Sequence, residues 1–163
     1  IGDVDISVER GEYANYAGTA VIRGSLFYIY NRDRFFDISN MTVTVGDITL
    51  NAVNTNGTAS VSGTLAYIAD ENSWVDFRNS SITVGDITAH AVSNTGTAEV
   101  LGGFLVNHRA DLYLVNTPVT VGELVYDAES TGGTAQVLGG LYFGSGWNGH
   151  DGGISVSSGF TIP

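Results

Sequence analysis

Acidic side chains that recur at one place in a repeating pattern are the first residues to weigh for chemistry. Asp3, Asp47, Asp86 and Glu123 each follow a glycine directly: Gly2, Gly46, Gly85 and Gly122. Carboxylate oxygens at such positions suit two tasks, accepting hydrogen bonds from turn backbone or supplying oxygen ligands to a hard cation such as calcium. Asp151, within Trp147-Asn148-Gly149-His150-Asp151-Gly152-Gly153, is a further candidate for the second task. A catalytic carboxylate pair needs one desolvated setting that drives two pKa values apart. A group present in every copy has no unique setting, so these acids read as structural or as calcium ligands.

Little else points to catalysis. His90, His108 and His150 lie far apart in sequence, with no second histidine at ligand spacing. There is no Gly-x-Ser-x-Gly elbow and no phosphate-cradling glycine loop. The expectation is a protein that is not an enzyme and needs no cofactor beyond calcium. Cysteine is absent, which excludes a disulfide framework and a thiolate metal site. Asn40-Met41-Thr42, Asn56-Gly57-Thr58 and Asn79-Ser80-Ser81 match the N-glycosylation pattern, so Asn40, Asn56 and Asn79 are candidate glycan acceptors.

Charge narrows the partners. The net charge is −11, all six basic residues are arginines, and lysine is absent. Nucleic acid and anionic membrane surfaces call for clustered basic groups and are not expected as partners. No apolar run approaches the roughly 18 residues that a membrane span needs. The opening at Ile1 rather than methionine suits a secreted chain whose signal peptide has been removed.

These residues sit in a tandem repeat. Gly57-Thr58-Ala59-Ser60-Val61-Ser62-Gly63 recurs as the segments beginning at Gly18, Gly96 and Gly133, at intervals of 39, 39 and 37 residues. The reading is one all-β domain, 1–163, of four units near 1–45, 46–84, 85–121 and 122–163. Abundant glycine, β-branched residues and the lack of helical periodicity support it.

Within a unit, Met41, Val43 and Val45 share one parity, whereas Ile48, Leu50 and Ala52 share the other. The slip at Gly46-Asp47 implies a β-bulge or a corner. Turn residues follow at Asn54-Thr55-Asn56-Gly57. The heptad opens a long second strand, with Ala59, Val61, Gly63, Leu65 and Tyr67 on one face. A short third strand places Val75 and Phe77 in the core, matched by Phe36 and Ile38 and by Leu112 and Leu114. Asn40, Asn79 and Asn116 close it, as left-handed turn residues or as a stacked asparagine ladder.

Short loops between alternating strands favour antiparallel hairpins, in a meander packed as an extended sandwich. The alternative is a β-solenoid with one repeat per rung; a ring of propeller-like blades is a third arrangement. Phe27, Tyr28, Tyr30, Tyr67, Phe104, Tyr142 and Phe143 gather on the second strands, as core or, if exposed, as a platform for sugars.

The two ends of the pattern carry the assembly expectation. Ile1-Gly2-Asp3-Val4 matches Val45-Gly46-Asp47-Ile48, and Phe160-Thr161-Ile162 matches the strand that precedes it. The repeat could therefore continue from one molecule to the next, head to tail, or close on itself as a ring. Thr42–Val45, Ser81–Val84 and Pro118–Val121 also run uncharged, without the lysine or inward charge that protects edge strands.

Together these features resemble self-assembling extracellular β-repeat proteins: acidic, cysteine-free and Gly/Thr/Asn-rich polymers of the archaeal sheath, surface-layer and filament type. The glycine-rich loop 147–153 resembles the calcium turns of repeat-in-toxin proteins without their tandem nonapeptides. The first resemblance implies a structural subunit that pairs with itself through strand edges at the cell surface, in an amyloid-like manner. The alternative is a carbohydrate-binding or adhesin module of a larger surface protein, with glycans as partners.

Overall fold

The computed structural model describes residues 1–10, 18–24, 27–29, 35–63, 66–69, 74–101, 105–108, 111–138, 141–144, 154–156 and 160–161. Strands and corners make up these segments, and none is helical. The first circuit holds β1 (Val4–Arg10), β2 (Gly18–Arg23), β3 (Phe27–Ile29), β4 (Phe35–Asp37) and β5 (Thr42–Val45). The second holds β6 (Ile48–Asn54), β7 (Gly57–Ser62), β8 (Ala66–Ala69), β9 (Trp74–Asp76) and β10 (Ser81–Val84). The third holds β11 (Ile87–Ser93), β12 (Thr97–Leu101), β13 (Leu105–His108), β14 (Asp111–Leu114) and β15 (Val119–Val121). The fourth holds β16 (Leu124–Ser130), β17 (Thr134–Leu138), β18 (Leu141–Gly144), β19 (Ile154–Val156) and β20 (Phe160–Thr161).

Each circuit gives one strand to each of five four-stranded sheets, so β1, β6, β11 and β16 form the first sheet and β5, β10, β15 and β20 the fifth. Every described strand pair is parallel. The antiparallel hairpins, the meander and the sandwich expected from the short loops are thereby overturned, and the blades with them. The physical reason lies in what the loops must do. A two-residue break turns the chain through a corner into the next sheet, where the new strand pairs with its counterpart one repeat away. The long crossover that parallel pairing requires is the rest of the circuit.

The corners account for the repeat's fixed residues. At Gly46-Asp47 the break separates β5 from β6, and both Val45 and Ile48 face the core. The parity slip is thus a corner between sheets, not a bulge. The expected second strand is likewise divided after Ser62, so that β7 and β8 belong to different sheets. At the heptad's first position the glycines stack backbone on backbone. A Cβ on Gly96 would lie 2.0 Å from the Gly57 carbonyl oxygen, and one on Gly133 would lie 2.0 Å from that of Gly96. Gly57 also has φ = +116°, where a side chain is strained.

The inward positions form columns of like residues. Ile48, Leu50 and Ala52 stack on Ile87, Ala89 and Ala91, all without solvent exposure, and Ala59 and Val61 stack on Ala98 and Val100. Val75, Phe77, Leu112 and Leu114 are buried as expected, as is Ile38. Phe36 departs from expectation and is exposed, on β4, which ends its sheet among the described residues.

Polar side chains satisfy the corners between circuits. The buried Asn54 donates from Nδ2 to the Gly18 carbonyl at 2.8 Å. Ser93 Oγ donates to Gly57 O at 2.7 Å, and Ser130 Oγ to Gly96 O at 2.9 Å, so one hydrogen bond recurs three times. Gly96→Ala should cost about 1–3 kcal/mol through overpacking of the glycine column. Thermal unfolding read by circular dichroism checks this, with Ser60→Ala, a half-exposed position outside the column, as a variant expected to change little.

Candidate assembly interface

Two surfaces stand out because the columns end there. On the first circuit, Val4, Ile6 and Val8 are only partly buried, although their counterparts Ile48, Leu50 and Ala52 are fully enclosed. On the fourth, Leu124, Tyr126 and Ala128 are likewise partly buried. The second sheet shows the contrast most sharply. Its column runs Ile22, Val61, Val100, Val137; Ile22 is buried at 5% exposure and Val61 and Val100 at 0%, so the column opens at the fourth circuit alone, where Val137 is 44% exposed. Beside β5, an apolar groove is lined by Ile1, Phe36, Ile38, Met41 and Val43.

The recurrent acids have a defined role at these ends. Asp3 Oδ1 accepts the Asp47 amide at 3.1 Å, Asp47 Oδ1 the Asp86 amide at 2.9 Å, and Asp86 Oδ1 the Glu123 amide at 2.8 Å. Each carboxylate lies over the glycine of the next circuit. A Cβ on Gly46, Gly85 or Gly122 would come within 2.1–2.2 Å of the carboxylate oxygen. The Gly-Asp pair is thus one device: the glycine leaves room for the acid below, and the acid caps the corner above. The ladder stops at Glu123, whose carboxylate accepts no such bond among the described residues. Asp47, Asp86 and Glu123 are spaced along this ladder rather than gathered around one point, and Asp151 lies outside the described residues.

The expected assembly residues are placed as follows. Ile1 is 74% exposed, and its ammonium group donates to the Thr44 carbonyl at 3.0 Å. Gly2 has open space where a side chain would project, Asp3 starts the ladder, and Val4 pairs with Ile48. Phe160 and Thr161 pair with Val119 and Thr120, and Ile162 lies outside the described residues. Val4 is in the first circuit and Phe160 in the fourth, and among the described residues these segments do not pair with each other. Of the three segments expected as edges, only β5 ends a sheet; β10 and β15 are paired on both sides.

The asparagine corners unite both readings of those residues. Asn40, Asn79 and Asn116 have φ of 58°, 57° and 51°, and Asn116 Nδ2 donates to Asn79 Oδ1 at 3.2 Å. Asn40 and Asn79 are exposed, whereas Asn56 is half-buried and accepts from Thr95 Oγ1 at 3.1 Å. Leading into the first two corners, the Ser39 amide donates to Asp37 Oδ1 at 2.8 Å and the Arg78 amide to Asp76 Oδ1 at 2.9 Å. Asp76 is buried, and hydrogen bonds from the Arg78 guanidinium hold its carboxyl below the usual range against the opposing effect of burial. Arg78 also lies over the Tyr113 ring at 5.5 Å, tying the second circuit to the third.

Aromatic side chains depart from the core expectation. Tyr28 is about half exposed and stacks on Tyr67 with ring centroids 5.6 Å apart. A second row, Phe35, Trp74 and Tyr113, has centroid separations of 3.6 and 6.2 Å, and its first two rings are exposed. Tyr30 and Phe104 lie outside the described residues, as do the side chains of Phe27, Tyr142 and Phe143. One cluster was missed from sequence. His90 on β11 faces Asp127 and Glu129 on β16, with Nε2 at 3.4 and 3.9 Å from their carboxylate oxygens. Its signal is the repeat interval itself, since His90 and Asp127 occupy equivalent positions in successive units.

No family model matches the chain, and neither a curated protein nor a solved structure is significantly similar to it.

Because the folded-state pKa of Asp76 is lowered, the stabilisation it provides is present above the unfolded-state value of about 3.9. It is lost as pH falls through the lower folded-state value. Asp76→Asn should therefore flatten the decline of melting temperature below about pH 4 relative to the unaltered protein. Parallel slopes for the two proteins would show that Arg78 does not hold this carboxyl.

Proposed function

We propose that the protein is a structural subunit that stacks head to tail with copies of itself. The single observation that carries this reading is the Ile22-Val61-Val100-Val137 column, closed from Ile22 through Val100 and open at Val137. Stacked-repeat proteins that remain single molecules cover their last repeats with polar caps. Among the described residues no helix or charged cap covers β16 or β17, and Val125, Val137 and Leu138 are each 44% exposed there.

A second copy fits this surface in the register the chain already uses between its own circuits. Its β1 would lie along β16, with Val4, Ile6 and Val8 continuing the columns that end at Leu124, Tyr126 and Ala128. Its Asp3 amide would meet the Glu123 carboxylate and extend the ladder by one step. Opposing this, the register brings Glu9 beside Glu129. A like-charged pair across strands costs about 0.2–1 kcal/mol. Closing each half-buried apolar position contributes on the order of 1 kcal/mol, so apolar closure outweighs repulsion. Salt, which screens the exposed pair, should promote assembly. Such a stack accords with an extracellular filament, sheath or surface layer, in which neither catalysis nor a cofactor has a part.

A second reading rests on a separate observation, the exposed row of Phe35 and Trp74. Aromatic faces open to solvent can stack against sugar rings, as in a carbohydrate-binding or adhesin module. Titration with a broad glycan set while following tryptophan fluorescence tests it. A response lost in Trp74→Ala supports binding there, and a flat response removes it.

For the polymer, negative-stain microscopy and sedimentation velocity at micromolar concentration should show filaments, tubes or sheets. Val137→Lys places a charge at the open end of the column and should leave folded single molecules. A protein that sediments as a monomer at every salt concentration would contradict the proposal.

A further inference from the structure

We propose that His90, Asp127 and Glu129 form a binding site for a divalent cation of the zinc class. The three side chains come from adjacent parallel strands. His90 and Asp127 are direct partners across β11 and β16, and Glu129 lies two residues further along β16 on the same outward face. Their ligand atoms all lie within 4.8 Å of one another. His90 Nε2 is shielded from solvent yet makes no hydrogen bond. Its two carboxylate neighbours stand at 3.4 and 3.9 Å, outside hydrogen-bonding geometry.

An imidazole nitrogen that is shielded from solvent without a hydrogen bond, on a side chain about one-third exposed, has an unused lone pair or an unused proton. Carboxylates beside it make a cation the natural occupant. Zinc binds imidazole nitrogen and carboxylate oxygen at about 2.0–2.2 Å in tetrahedral geometry, which places neighbouring ligand atoms about 3.4 Å apart. The His90–Asp127 separation already has that value; Glu129 must close on His90 from 3.9 Å, and the two carboxylates on each other from no more than 4.8 Å, a side-chain adjustment on exposed residues. The nitrogen ligand distinguishes this site from the acid ladder, whose oxygen-only groups favour hard cations. The parallel register is what creates the site, because residues 37 and 39 positions apart in sequence become neighbours.

The proposal is independent of self-assembly and can be read on dispersed molecules. Zinc chloride titrated into the protein by calorimetry, with Val137→Lys used to keep it dispersed, should show one saturable site of micromolar affinity. His90→Gln and Asp127→Asn should each weaken that affinity at least tenfold. Asp5→Asn, which removes an exposed acid from the other end of the same sheet, should change it less than twofold. The His90 imidazole signals should shift on zinc addition in nuclear magnetic resonance spectra, and magnesium at the same concentration should not move them. Circular dichroism confirms that each variant is folded. Zinc affinity unchanged in both His90→Gln and Asp127→Asn, or equal losses in Asp5→Asn, would overturn the site.

Discussion

Parallel pairing of each repeat with the next, in register, is the interaction on which everything else depends. The partner of Thr49 is Thr88, that of Ala59 is Ala98, and that of Val75 is Leu112. In-register pairing turns a linear repeat into columns, and a column imposes one chemistry on every member. Inward columns must be apolar and of matching size. Corner columns must let backbone approach backbone, which selects glycine at Gly57, Gly96 and Gly133. Polar columns must pass hydrogen bonds along the stack, which Asn54, Ser93 and Ser130 do toward the preceding circuit's glycine carbonyl.

The same pairing gives the molecule its unequal distribution of burial. Among the described residues, its two middle circuits are enclosed above and below; the fourth is open at Val125, Val137 and Leu138, and the first is open along β1, although its Ala20, Ile22, Ile38 and Val45 are buried. Burial is therefore deepest in the centre, where each repeat has a neighbour on both sides. The open sides carry the exposed apolar residues Phe36, Met41, Val125, Val137 and Leu138. They also carry acids, among them Asp5 and Glu9 at one end and Asp127 and Glu129 at the other. Apolar columns favour joining and the acids oppose it. That balance makes salt and cations the natural controls on any stacking.

Much of the fold was legible in the residues. The heptad glycines marked the repeat, the Gly46-Asp47 parity slip a bulge or a corner, and Asn40, Asn79 and Asn116 left-handed turns or a ladder. Strand direction was not legible, because alternation and short turns look the same whether a strand returns beside its predecessor or enters a new sheet. The turn at Asn54–Gly57 illustrates this: its residues suit a hairpin, but its glycine is held by the backbone of Gly18 on the adjacent circuit. Burial at the ends was illegible for a related reason. Phe36 and Val75 are equivalent in sequence, and only their height in the stack decides which is covered. The His90-Asp127-Glu129 cluster has no ligand spacing along the chain, because the fold creates it across strands.

Cross-strand nuclear Overhauser effects between β6 and β11 test the central claim most directly. In-register parallel pairing predicts close contacts linking the Thr49 and Thr88 segments, repeated along the two strands, and none linking Asn51 to Ser60 across the Asn54–Gly57 corner. Contacts between Asn51 and Ser60, without any between Thr49 and Thr88, would establish a hairpin and contradict the account.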